Sequence, residues 1–121
     1  MAALNSITLA ASYHFTATKP FVDLKFEKKR AAYALIALEN LRFGKISTLL
    51  LQDSNTKMTA TLNKSGNQYT LSVLTTTLSL TEQHLVCILS LLLDAINGAV
   101  AVGRHYDLQL PNLDLRITLD A

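Results

Sequence analysis

Apolar residues recur along this chain at two different periods, and the switches between them divide it into elements. From Ser6 to Phe15 the period is two. Ile7, Leu9, Ala11, Tyr13 and Phe15 fall on one side, and Thr8, Ala10, Ser12 and His14 on the other. Successive side chains of a strand point to opposite faces, so this is the pattern of a half-buried strand. Thr16 to Pro20 is turn-like, and Val22, Leu24 and Phe26 then alternate again, which predicts a hairpin. From Glu27 to Phe43 the period becomes helical: Ala31, Ala34, Leu35, Leu38 and Leu41 share a face in a segment rich in good helix formers. Gly44 suits the left-handed position that ends a helix. The start is less well marked. Lys28, Lys29 and Arg30 oppose the positive end of the helix dipole and only Glu27 favours it, while Pro20 offers an earlier start because proline suits the first helical position.

Ile46 to Gln52 is a short apolar strand, and Asp53 to Thr56 has turn composition. Lys57 to Asn63 sets Met58, Ala60 and Leu62 against threonines. Lys64-Ser65-Gly66-Asn67 is a strong turn signal, and Tyr69, Leu71 and Val73 resume the alternation toward Thr75, which predicts a second hairpin. Ser79 to Thr81 leads into a long helix, with Thr81 as N-cap, Glu82 favouring the dipole, and Gly98 or Gly103 ending it. Tyr106, Leu108 and Leu110 alternate up to Pro111. Leu113, Leu115, Ile117 and Leu119 follow on the opposite parity. A parity change at a residue without an N–H predicts a bulge or a break, and an edge strand carrying Asp114 and Asp120.

The order is therefore β-β-α-β-β-β-α-β, with room for one more strand at the end. The expected fold is α+β: a two-layer sandwich, with two helices on one face of a mainly antiparallel sheet. Hairpin, helix and strand occur twice in this order, but no residue pattern repeats with them.

The segment Thr81–Val102 is the longest apolar run. His84, Cys87, Ser90, Asp94 and Asn97 form a narrow polar line at spacings of three and four, and leucine, isoleucine, valine and alanine fill most of the rest. A Cys–His–Asp line invites a catalytic reading. Helix geometry opposes it: ten residues at 1.5 Å each put His84 and Asp94 about 15 Å apart along the axis. A Cys–His pair alone is also too few ligands for a metal. The apolar arc is wider than the roughly 100° that one sheet face covers. We therefore expect a partner or a second copy along one flank, contacting Cys87, Ser90, Leu91, Asp94 and Asn97. The same run approaches the roughly 20 residues that cross a bilayer, but a central Asp94 would cost about 2.5–3.5 kcal/mol there, so a membrane span is not expected.

Composition narrows the field further. With 121 residues, half of them hydrophobic and 17% charged, the chain fits one domain, residues 1–121, with a core of its own. Few charges are left to coat the surface, which again suggests apolar surface meant for a partner. A single cysteine, Cys87, forms no intrachain disulfide and fits a reducing, cytoplasmic setting. The first residues lack the basic start of a signal peptide. The formal net charge of +2 gives little drive toward nucleic acid, for which Lys25, Lys28, Lys29 and Arg30 would be the binding cluster, with Phe26 or Tyr33 to stack on bases. No phosphate-binding glycine loop or hydrolase, zinc-protease or CxxC motif is present. Arg104, His105, Tyr106 and Asp107 alternate in direction, so they read as a surface ion-pair set. The expectation is a non-catalytic, cofactor-free protein-binding module: a small adaptor, inhibitor or immunity-type protein, and a homo-oligomer. A nucleic-acid binder is the alternative, followed by a small-molecule carrier or enzyme with a pocket near His84 or His105.

Overall fold

The computed structural model describes residues 6–15, 20–52, 59–73, 76–110 and 114–120, with side chains from Val22 onward. Of the turn expected at Thr16–Pro20 all but Pro20, and the whole of the turn expected at Asp53–Thr56 and the break at Pro111, lie outside the described residues. The strands are β1 (Ser6–Phe15), β2 (Pro20–Glu27), β3 (Thr48–Gln52), β4 (Thr59–Ser65), β5 (Gln68–Val73), β6 (Thr76–Thr81), β7 (His105–Gln109) and β8 (Asp114–Asp120). The helices are α1 (Ala31–Arg42), entered through a 3-10 turn at Lys28–Arg30, and α2 (Glu82–Ile96).

The strands lie in the order β6-β5-β4-β3-β1-β2-β8-β7. Two sheets meet at β1: Ser6–Thr8 pair in parallel with β3, and Leu9–Phe15 pair antiparallel with β2. The β2–β8 pair is also parallel, and the remaining neighbours are antiparallel. This is the α+β architecture the periodicities predict, with both helices on the apolar face. Register explains why that face is continuous. Leu49, Leu62, Leu71 and Leu78 lie opposite one another across β3 to β6. Val22, Leu24 and Phe26 of β2 oppose Leu115, Ile117 and Leu119 of β8. All are buried against Ala34, Leu38 and Leu41 of α1 and Leu85, Ile88, Leu91 and Leu92 of α2. The opposite parity gives a polar outer face, with Asp23, Lys25, Asn63, Thr70, Ser72, Arg116 and Thr118.

Two elements differ from the sequence reading, and a third decides an end that it leaves open between Gly98 and Gly103. First, α1 begins only at Ala31, with no acidic residue in its first turn and no side-chain cap. The three cations before it occupy a 3-10 turn in which they need not complement a dipole. Second, α2 stops at Ile96, with Gly98 at φ 73°. Backbone bonds from Ala99 to Asp94 and from Gly98 to Ala95 close the helix there, five residues before Gly103. Third, Thr76–Thr81 is a strand, paired along its length with β5 and burying Leu78 and Leu80. Its alternation is short and abuts the helix cap, so it resembles a lead-in. In addition, β8 is interior, bonded to both β2 and β7, and it is β7 that takes the edge. Asp114 and Asp120 are thus not on an edge strand.

Candidate interaction surface

The two helices run antiparallel across the core. The C-terminal end of α1 meets the N-terminal end of α2 where Arg42 Nε donates to Glu82 Oε2 at 2.7 Å. At the other end Lys28, Lys29 and Ala32 sit beside Ala95 and Ile96. Each helix turns one arc into the core and another toward solvent. For α1 the outward arc carries Ala32, Tyr33 and Ile36, with Phe43 just past its end; Ile36 is 61% and Phe43 66% exposed. For α2 it carries Gln83, Val86, Ser90, Leu93, Ile96 and Asn97. Among the described residues, every large exposed apolar side chain except Leu50 belongs to this helical layer or to Val102 just beyond it.

The surface between the helices is concave. One cleft of about 510 Å³ is lined by Lys28, Lys29, Ala32, Ala95, Ile96 and Val102. A second, of about 250 Å³, is lined by Leu35, Glu39, Arg42, Val86, Leu89, Ser90 and Leu93. Small residues explain the first: Ala32 and Ala95 leave a depression that longer side chains would fill. Glu39 Oε1 lies buried without a hydrogen-bond donor; Arg42 Nη1 is 3.7 Å away.

A polar cluster pins the far end of this layer. Tyr69, fully buried, donates to Glu82 Oε1 at 2.7 Å. Lys64 Nζ donates to the Arg42 carbonyl oxygen and stands 6.0 Å from the centre of the Tyr69 ring. Burial and the Glu82 carboxylate push the Tyr69 hydroxyl up to about 12. The bonds from Tyr69 and Arg42 hold the Glu82 carboxyl below its ordinary range. The sequence reading assigned Glu82 only to the helix dipole. Its partners are 13 and 40 residues away in the chain, so no local pattern could reveal them.

The residues singled out from the sequence separate once placed. Ser90 and Asn97 are exposed, and Cys87 and Asp94 are half-buried on the flank of α2. Leu91 is fully buried in the core and cannot touch a partner. The exposed leucine is Leu93, with Val86 and Ile96 on the same arc. The polar line is thus one border of the exposed arc, and the apolar part of that arc faces α1. His84 serves the start of the helix. Thr81 Oγ1 accepts from the His84 N–H, and His84 Nδ1 accepts from the Thr81 N–H, a capping box with histidine in the place usual for glutamate.

The basic cluster divides between two layers. Lys28, Lys29 and Arg30 are exposed at the entrance to α1, Arg30 pairing with Glu27 at 3.3 Å, whereas Lys25 lies on the outer face of the sheet. Phe26 is buried, so only Tyr33 is available to stack. On β7, Asp107 accepts from Arg116 at 2.7 and 3.3 Å and lies 3.8 Å from His105, an ion-pair set whose arginine comes from β8 and not from the run Arg104–Asp107 in which the sequence places it. Among the described residues no three His, Cys, Asp or Glu side chains gather as metal ligands, and no helix is long and apolar enough to cross a membrane. Comparison with protein-family models, with curated proteins and with solved structures gives no match.

Proposed function

We propose that this protein is a non-catalytic binding module that acts by covering a protein partner's surface with the outer side of its α1–α2 layer. The observation that carries this reading is the concentration of Tyr33, Ile36, Phe43, Val86, Leu93, Ile96 and Val102 on that one side. Scattered exposed apolar residues are ordinary, whereas a contiguous apolar patch with a polar rim is the usual mark of an interaction surface. The rim is supplied by Lys28, Lys29, Gln83, Ser90 and Asn97. Stability does not require the patch, because the sheet already covers the inner arcs of both helices. In this role the protein is an adaptor or inhibitor of the cytoplasm, where the Cys87 thiol stays reduced.

The test is a double variant, Ile36→Glu with Leu93→Glu. Both positions are exposed, so the fold should persist, which circular dichroism and a thermal melt would verify. Wild-type protein immobilised in an extract of its native source should retain partners or further copies of itself, and the variant should lose them. Equal retention by both proteins would sink the reading.

A further inference from the structure

We propose that the cleft between the start of α1 and the end of α2 binds a free single-chain amphiphile with an anionic head, of the class of a medium-chain fatty acid. This does not rest on the protein-binding reading. It needs the cleft alone, whatever meets the rest of the layer.

Shape sets the size of the ligand. Lys28, Lys29, Ala32, Ala95, Ile96 and Val102 line about 510 Å³, within the roughly 300–1,000 Å³ usual for small-ligand sites. Apart from the two lysines the lining is apolar. Ala95 is buried, while Ile96 is 42% and Val102 48% exposed, so a bound alkyl chain takes apolar surface out of water.

Charge sets the head group. No acidic residue lines the cleft, Asp94 included. Among the described residues neither Lys28 nor Lys29 has an ion-pair partner, and Glu27 is taken by Arg30. The lysine stems extend the apolar wall, and both residues are exposed, so their ammonium groups reach water. The helix ends do not cancel these two charges. The C-terminal end of α2 lies beside the N-terminal end of α1, where the two dipoles have opposite signs. At that end of α2 the Leu93, Asp94 and Ala95 carbonyls already accept from the Asn97, Ala99 and Gly98 N–H groups. The first turn of α1 carries no acid.

The second cleft lacks this combination. It is about 250 Å³, and Glu39 and Arg42 line it 3.7 Å apart and offset each other. An apolar chain with a negative head satisfies both parts of the first cleft. A free molecule fits better than a bilayer, which calls for a cluster of four or more basic residues. Here two cations stand at one cleft, and the formal net charge is only +2.

The experiment titrates the full chain with octanoate, octanol and octyltrimethylammonium below their micelle concentrations, read by amide NMR. Octanoate should bind saturably and shift the amides of Ala32, Ala95, Ile96 and Val102. Octanol should bind more weakly at the same place, and the cation more weakly still. Lys28→Gln with Lys29→Gln should weaken octanoate by about tenfold, as expected for two exposed charge contacts, and leave octanol unchanged. If that variant does not fold, salt makes the same test on the wild type, weakening octanoate and not octanol. Ala32→Phe, at an exposed position, should fill the cleft and abolish binding of both. No saturable octanoate binding overturns the proposal, as do shifts away from the cleft, equal affinity for the cation, or octanoate binding indifferent to both the glutamines and salt. Vesicles of phosphatidylcholine with phosphatidylglycerol should not co-sediment the protein; co-sedimentation overturns the choice of a free ligand. Ile36→Glu with Leu93→Glu lies outside the cleft and should bind octanoate as the wild type does. Loss of protein partners by that variant with octanoate binding retained separates the two readings.

Discussion

Tyr69 of β5 and Glu82 of α2 are joined by a 2.7 Å hydrogen bond, and the same carboxylate accepts from Arg42 of α1 at 2.7 Å. One carboxylate therefore ties the sheet to both helices at the end of the layer where they meet. The phenol is buried while the carboxylate reaches solvent. Tyr69→Phe should lower stability by about 1.5–3 kcal/mol, the cost of a hydrogen bond to a charged group, measured by urea denaturation. Glu82→Ala should cost more than Tyr69→Phe, because it leaves the buried hydroxyl without an acceptor and frees Arg42.

The same pair sets a pH dependence. The Tyr69 hydroxyl is raised from 10.0 to about 12 in the fold, so its contribution is complete below pH 10 and is lost as the pH rises from 10 toward 12. The Glu82 carboxyl is lowered from 4.5. Its contribution is complete above that value and is lost as the pH falls through the lower folded value. In Tyr69→Phe the alkaline loss should shrink; an unchanged alkaline limb in a denaturation series against pH would contradict the pairing.

Thr81 and His84 form the N-terminal box of α2. Thr81→Ala should destabilise by about 1 kcal/mol, and His84→Ala by less, since the threonine bond to the helix N–H survives. Equilibrium unfolding of the two variants and their double mutant should show non-additivity, because each residue satisfies a backbone N–H of the other.

Leu91 and Leu93, two residues apart, should behave as opposites. Leu91 is fully buried and Leu93 is 48% exposed. Leu91→Ala should cost about 2–5 kcal/mol, the range for an emptied core position, with assembly affected only through unfolding. Leu93→Ala should change stability by roughly 0.5 kcal/mol or less while weakening association. Reversed effects in denaturation and sedimentation would mean that the helix is rotated from the arrangement described.

Periodicity alone carried much of the fold. The bounds Ser6–Phe15 agree at both ends, and the Gly66-Asn67 loop joins two strands at a glycine with φ 61°. These features are local: alternation, turn residues and a left-handed glycine act within a few positions. The end of α2 was ambiguous for the same reason, since Gly98 and Gly103 are equally good local stops. Packing decides between them, because Ala95 is the last buried residue before the helix ends.

By itself the sequence determined the fold class, the inward parity of its strands, and the presence of more apolar helix surface than one sheet face covers. It could not determine which residues make up that surplus. The polar line from His84 to Asn97 pointed to one flank of α2, with Leu91 as its leucine. Tertiary structure instead turned Leu91 into the core and left Val86, Leu93 and Ile96 outside, with Val86 and Leu93 beside Leu35, Glu39 and Arg42 of α1 and Ile96 beside Ala32. The physical reason is that an apolar arc says how much of a helix must be covered, whereas the direction of the sheet and of the neighbouring helix is set by contacts between distant parts of the chain. The candidate surface spans two helices tied together by Arg42 and Glu82, residues 40 positions apart, and no local spacing encodes that contact.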